Sequence, residues 1–169
     1  PTVFEKNEKP GGMLTYGIPS YKLEKDVVEE EIDIIRALGV EIKCGVEVGK
    51  DITLDELRKD GYEAFYIAIG CQGSRKSGVA GEDADGVMSA VDILHEIAEN
   101  HDLDLKGNKT VVIGGGNVAV DVARSTKRCG ADVLGMFCLE SREEMPASEE
   151  EIFETEDEGI QINLSLIHI

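Results

Sequence analysis

The sequence predicts an α/β protein made of two successive, incomplete strand–helix–strand units. Three observations carry this. Residues 111–119 read Val-Val-Ile-Gly-Gly-Gly-Asn-Val-Ala, a hydrophobic run that breaks into glycines and continues as a helix. Apolar residues recur at helical spacing in several separate windows, and short apolar runs of strand length alternate with them. Composition agrees: 169 residues with 41% hydrophobic, 31% charged and 5% aromatic content fit one ordinary domain or two small ones.

Taken in order, Thr2–Glu5 reads as the end of a strand, followed by a polar, glycine-bearing loop through Gly12. Residues 26–38 form a helix with Val28, Ile32, Ile35 and Leu38 on one face and Gly39 as its stop. Val40–Cys44 and Val46–Val48 read as short strands, and Thr53 caps a short helix over Leu54–Lys59. Ala64–Ile69 has the continuous apolar character of a buried strand and ends at Gly70. A Gly-, Asp- and Ser-rich loop then runs from Cys71 to Gly86, and Ser89 starts a helix through about Asn100. The polar stretch His101–Asn108 leads into the glycine strand.

The second unit carries the most specific signal. Gly114, Gly116 and Ala119 occupy the G-x-G-x-x-G/A positions of a dinucleotide-binding unit. Gly114 allows a sharp turn out of the strand, Gly116 lets backbone approach a pyrophosphate, and Ala119 keeps the helix close to the sheet. Phosphates then sit at the positive end of the helix, where free N–H groups point at them. Val118, Ala119, Val122, Ala123 and Thr126 recur at helical spacing, with Arg124, Lys127 and Arg128 on other faces, until Gly130. Asp132–Cys138 is the second strand, Ala147–Glu158 an acidic helix, and Ile160–Asn163 the start of another strand.

Glu140 stands 21 residues beyond Ala119, where a carboxylate accepts hydrogen bonds from the adenosine ribose and repels a 2′-phosphate. That favours NADH over NADPH; Arg142 is the nearby charge that would offset it, and the bland alternative for Glu140 is a solvated loop carboxylate.

A net charge of −18 argues against nucleic acid and against anionic membrane surfaces as partners, since phosphate binding needs clustered Lys and Arg. Cys44, Cys71, Cys129 and Cys138 are separated by 27, 58 and 9 residues, so neither a metal cluster nor a Cys-x-x-Cys redox pair is written here. They read as buried or half-buried reduced thiols of a cytoplasmic protein. No apolar stretch reaches membrane-spanning length. His95 on a helix and His101 in a loop read as structural or solvated, and no nucleophilic triad is visible, so no side chain is assigned a catalytic role.

The string from Val3 to Leu23, with Val-Phe-Glu-Lys, then Lys-Pro-Gly-Gly-Met-Leu-Thr-Tyr-Gly-Ile-Pro-Ser-Tyr-Lys-Leu, resembles the FAD-binding segment of the glutamate synthase small-subunit family. That family includes the flavin half of dihydropyrimidine dehydrogenase and the large subunit of NADH-dependent ferredoxin:NADP oxidoreductase. Residues 113–121 and Ser-Arg-Glu-Glu-Met-Pro-Ala at 141–147 resemble its nicotinamide-binding segment. The resemblance covers about residues 2–163 and implies two nested Rossmann-like domains, both incomplete here. Residues 1–100 would be the later part of the first FAD-binding segment, without its first glycine loop. Residues 101–163 would open the NAD(P)-binding domain.

By motif match, Glu5 and Lys6 would hold the FAD ribose end, Gly12 and Met13 would approach the flavin or its phosphates, and Lys22 would add a polar contact. Val48 would offer backbone near the adenine, and Gly70 closes the next strand at the cofactor edge. Gly114, Gly116, Asn117 and Val118 would meet the nicotinamide pyrophosphate, with Glu140 and Arg142 at its adenosine end. Members that use NADP often carry two basic residues where Leu139 and Glu140 stand, and charged hydrogen bonds contribute about 1.5–3 kcal/mol each, so the departure disfavours a 2′-phosphate.

The implied function is hydride transfer from NADH to FAD and electron delivery to an iron–sulfur partner or domain, whose clusters lie outside this stretch. The alternatives are an NADPH-dependent glutamate synthase small subunit and a non-catalytic NAD-binding or assembly module. Leu164–Ile169 departs from the family pattern and reads like the translation of a sequencing adapter, CTG-TCT-CTT-ATA-CAC-ATC, which would make His168 non-native. The isolated chain is then expected to hold neither cofactor tightly, with exposed sheet edges that favour aggregation.

Overall fold

A computed structural model describes residues 1–74, 76–100 and 103–165. The chain divides into two compact units, Pro1–Gly73 and Ser74–Ile169.

In the first unit, β1 (Thr2–Glu5) pairs in parallel with β2 (Glu41–Cys44), placing Glu5 opposite Cys44. Between them come α1 (Met13–Tyr16), a single turn that the sequence reading missed, and α2 (Lys25–Ala37). Helix α2 begins and ends close to the predicted 26–38, with Asp26 in its first turn, Arg36 in its last and Gly39 following at φ 87°. Val28 and Ile32 are buried, but Ile35 and Leu38, expected on the same covered face, are exposed. Helix α3 (Leu54–Lys59) has the predicted cap. Thr53 Oγ1 accepts from the Glu56 N–H, while the Glu56 carboxylate accepts from the Thr53 N–H, and Leu57 is buried beneath.

Two expected strands of this unit do not form. Val46–Val48 makes a single isolated bridge, Val48 to Ile52. Gly45 and Gly49 take φ of 70° and 100° on either side, and Asp51 closes the loop with its carboxylate on the Glu47 N–H at 2.8 Å. Ala64–Ile69 joins no ladder among the described residues, and Tyr66 and Ile69 are 93% and 85% exposed. Its apolar run calls for a parallel sheet covering it, and the only sheet in this unit is the two-stranded pair β1–β2.

The second unit begins with α4 (Ala90–Glu99), capped by the Ser89 side chain on the Asp92 N–H as predicted. The sequence had grouped this helix with the first unit; its Ile93 and Leu94 instead join the second unit's core. Then follow β3 (Lys109–Ile113), α5 (Asn117–Arg128), β4 (Asp132–Phe137), a 3-10 turn at Arg142–Glu144, α6 (Glu149–Asp157) and β5 (Ile162–Asn163). The strands form a parallel sheet in the order β3-β4-β5. A bulge interrupts it: Thr110 faces Val133 but Val111 faces Gly135, leaving Leu134 as the extra residue.

Val112, Val120, Ala123, Met136 and Ile160 form the core between sheet and helices. Helix α6 starts at Ser148, whose Oγ accepts from the Glu151 N–H, with three glutamates in the first turn favouring the helix dipole. Arg124, on a face other than the apolar stripe as expected, is nonetheless only 5% exposed. It is buried because Glu151, Glu154 and Glu158 of α6 and its end surround the guanidinium, with Nε to Glu158 Oε1 at 2.9 Å. No helix among the described residues is long and apolar enough to cross a membrane.

Candidate functional site

The glycine turn of the second unit has the geometry its motif predicts. Gly114 takes φ 137°, and a Cβ there would stand 3.3 Å from Ala119 Cβ, so the first and last motif positions touch. Gly116 is the N-cap of α5, with no side-chain cap. A Cβ there would meet nothing nearer than Pro146 Cβ at 4.0 Å, which leaves room for a ligand's approach. The N–H groups of Asn117 and Val118 lie in the first turn, where a helix supplies no acceptor. Together these features leave an open cradle at the positive end of a 12-residue helix.

Gly115, not singled out from the sequence, is the most enclosed of the three glycines. A Cβ there would lie 2.9 Å from Cys138 Cβ and 3.3 Å from Glu140 Oε2. The structure therefore brings Glu140, half-buried just beyond β4, against the glycine turn. Arg142 is turned elsewhere: its guanidinium binds Glu156 through both terminal nitrogens, the longer bond being 2.8 Å. That hydrogen bond raises the Arg142 pKa and holds the Glu156 carboxyl below its ordinary range. Burial, then the neighbouring Glu140 charge, pushes the Cys138 thiol up, so this cysteine stays protonated and unreactive.

A strap closes over the turn from the other side. The Ala147 N–H donates to the Gly115 carbonyl at 3.0 Å, and the Ser148 N–H donates to Asn117 Oδ1 at 3.0 Å. The Asn117 side chain is thus engaged with the chain itself, and its place in the cradle is taken by its backbone N–H. Leu164 packs against the core and the Ser165 N–H donates to the Glu140 carbonyl, so these two residues of the suspected tail continue alongside β4. His168 and His101 lie outside the described residues.

In the first unit, Glu5 ends β1 as expected. Its Oε1 accepts from the Asn7 N–H at 2.8 Å, and its carbonyl accepts from the Val46 N–H, which brings the Val46–Val48 loop beside it. Asn7 Nδ2 is enclosed there without an acceptor. Lys6 is exposed, as are Val48 and Gly70. Gly12, at φ 53°, has Gln72 Nε2, two residues beyond Gly70, 3.8 Å from where its Cβ would be. Met13 folds its methyl back over Gly17. Lys22 sits in the turn closed by its N–H on the Pro19 carbonyl at 3.0 Å.

This loop has fastenings with no sequence signature. The Tyr16 phenol oxygen accepts from the Lys9 N–H at 2.9 Å, and Lys25 Nζ donates to the Leu14 carbonyl at 2.8 Å and to that of Ile18. Burial lowers the Lys25 pKa. Burial also pushes up Cys44 and Cys129, the former further raised by Glu5, whereas Cys71 is exposed, against the expectation of four covered thiols. Among the described residues no group of three or more His, Cys, Asp or Glu side chains converges to hold a metal.

Residues 4–165 match the family described as pyridine nucleotide-disulphide oxidoreductase. The NADP(+)-dependent formate dehydrogenase subunit beta of Moorella thermoacetica is 44% identical over 161 residues, 94% of this chain and 23% of that protein. The glutamate synthase [NADPH] small chain of Escherichia coli is 34% identical over 97% of this chain and 37% of its own length. The chain thus spans about a quarter to two fifths of the relatives it matches. Among solved structures, FprA of Mycobacterium tuberculosis in complex with NADPH superposes with a TM-score of 0.71 at 24% identity, over 92% of this chain and 40% of that one. That likeness shows the same fold.

Proposed function

The chain belongs to the pyridine nucleotide-disulphide oxidoreductase family, and from that premise we propose that it is part of a flavoprotein in which a reduced nicotinamide dinucleotide delivers hydride to FAD. The observation that carries this is the open cradle at Gly116, with the Asn117 and Val118 N–H groups at the start of α5 and Glu140 against Gly115. A pyrophosphate fits there because no side chain fills the space and no capping side chain takes the N–H groups. In the first unit, the enclosed Asn7 Nδ2 beside Glu5 is an unsatisfied donor that a bound polar group would complete, which fits FAD at this strand end.

When bound, the nicotinamide and flavin supply the hydride chemistry. The chain's own residues orient and select. Backbone N–H groups at 117 and 118 neutralise phosphate charge, Gly116 permits close approach, and the Gly114–Ala119 contact keeps the helix start fixed over the strand ends. Glu140 accepts from ribose hydroxyls. Because Arg142 is already neutralised by Glu156, the local charge near the adenosine end is negative, which supports NADH. The names of the Moorella and Escherichia relatives specify NADP(+) and NADPH, and that is the rival. Those relatives are named as a beta subunit and a small chain, which supports an electron-accepting partner subunit. The partner proposed here is an iron–sulfur protein or domain.

Anaerobic titration of the bound flavin in the full-length protein tests this. Bleaching of flavin absorbance at much lower NADH than NADPH supports both the reaction and the role of Glu140. Bleaching by NADPH at the lower concentration keeps the reaction, overturns the Glu140 assignment and favours a glutamate synthase small-subunit role. A colourless protein overturns the reaction and favours a non-catalytic module.

A further inference from the structure

Asn117 lies in the motif, yet its side-chain oxygen points to the strap rather than into the cradle. Ser148 N–H donates to Asn117 Oδ1 at 3.0 Å, and one residue earlier Ala147 N–H donates to the Gly115 carbonyl at 3.0 Å. Met145 and Ala147 are buried in the core, so the strap is anchored at its base. Among the described residues, Pro146 Cβ, at 4.0 Å, is the nearest atom beyond its chain neighbours to a Cβ built on Gly116. Downstream, α6 is pinned to α5 through Arg124 and through Lys127 Nζ on the Glu158 carbonyl. The strap therefore joins the glycine turn at one end to a fixed helix pair at the other.

We propose that Asn117 is a positioning residue, a latch that accepts from Ser148 N–H and so holds the 145–148 strap against the glycine turn, keeping the pyrophosphate cradle preformed. This rests on the dinucleotide reading of the cradle. The side chain acts through the strap, and the ligand meets the backbone N–H of the same residue. What the latch requires is an acceptor at this position: an aspartate supplies one, an alanine does not. Without it, the strap must be ordered again each time ligand binds, and that ordering is taken from the binding free energy.

The test uses the full-length protein, isotope-labelled, with NAD+ as probe, and reads two quantities by NMR: amide exchange at Ser148, and shifts at the Asn117 and Val118 amides on titration. Asn117→Ala should speed Ser148 exchange about tenfold or more and weaken NAD+ about three- to tenfold. Asn117→Asp should keep Ser148 protected, because the acceptor remains, while weakening NAD+ in a salt-dependent way through charge repulsion. Fast Ser148 exchange in Asn117→Asp overturns the latch. So does Asn117→Ala that loses NAD+ with Ser148 exchange unchanged, which would make the side chain a direct ligand contact. Faster exchange with unchanged NAD+ affinity in Asn117→Ala also overturns it. Absence of shifts at 117 and 118 in the unmodified full-length protein overturns the dinucleotide reading itself, a failure read separately from the exchange data.

Discussion

Substituting Gly115 with alanine tests how tightly the glycine turn is seated. Its φ lies outside the left-handed region, so the substitution adds a methyl group and no backbone strain. That methyl would stand 2.9 Å from Cys138 Cβ, 3.4 Å from Cys138 Sγ and 3.3 Å from Glu140 Oε2. Carbon atoms pack best at roughly 3.5–4.0 Å, so the clash with Cβ is more than half an ångström, and overpacking of this kind costs about 1–3 kcal/mol. Cβ is fixed to the backbone and cannot swing away, unlike the Glu140 carboxylate. Cys138→Ala leaves Cβ in place and should not relieve the clash; Cys138→Gly removes it. Cys138→Gly alone should cost about 1–2 kcal/mol through backbone freedom and lost burial. The Gly115→Ala/Cys138→Gly pair should recover at least about 1 kcal/mol relative to the sum of the single costs. Urea denaturation followed by helical circular dichroism measures the unmodified protein, the three single variants and the two double variants. Additivity of the Gly pair within about 0.5 kcal/mol, or equal rescue by Cys138→Ala, refutes the reasoning.

Arg124→Ala removes a guanidinium enclosed by three glutamates and should destabilise the second unit by about 2–3 kcal/mol, with Arg124→Lys intermediate, both read from urea midpoints. The same network sets a pH dependence. Burial pushes the Glu158 carboxyl up, but hydrogen bonds from Arg128 and Arg124 outweigh it and hold it below its ordinary 4.5. A depressed carboxyl adds stability above about pH 4.5 that is lost as pH falls through the lower folded value, so Glu158→Gln should flatten the loss of stability between pH 5 and pH 3. Ile67→Lys with Ile69→Lys should reduce concentration-dependent self-association of the chain in sedimentation velocity, because both side chains are exposed on an unpaired apolar run; unchanged association would locate the sticky surface elsewhere.

What the sequence made legible was local. Thr53, Ser89 and the glycine string act within three or four residues of themselves, and caps and turn formed where expected. Helix α2 was legible for the same reason, although the exposure of Leu38 depends on what its outer face meets. Ala64–Ile69 was misread because its composition records the burial it suits, while pairing needs a neighbour strand that no local pattern specifies. The burial of Arg124 was not legible because it depends on glutamates 27 to 34 residues away. Distance along the chain pointed to Glu140, which the fold sets against Gly115, but that Arg142 is claimed by Glu156 and Asn117 by Ser148 is tertiary information. Lys25 had no motif at all.

The bulge at Leu134 acts as a change of gear in β4. Side chains of a strand point alternately to its two faces. Before the bulge the inward residue is odd-numbered, Val133; after it, Met136 and Cys138 point inward. Glu140, two residues further, falls on the same side and reaches Gly115. Gly135 keeps the shift from slipping, since a Cβ there would press within 2.9 Å of Asn163 Nδ2 and 3.1 Å of the Gln161 carbonyl. Under the proposed reading, in which Glu140 selects the coenzyme, that selection depends partly on counting: one uncounted residue, six positions upstream, sets which way the carboxylate faces.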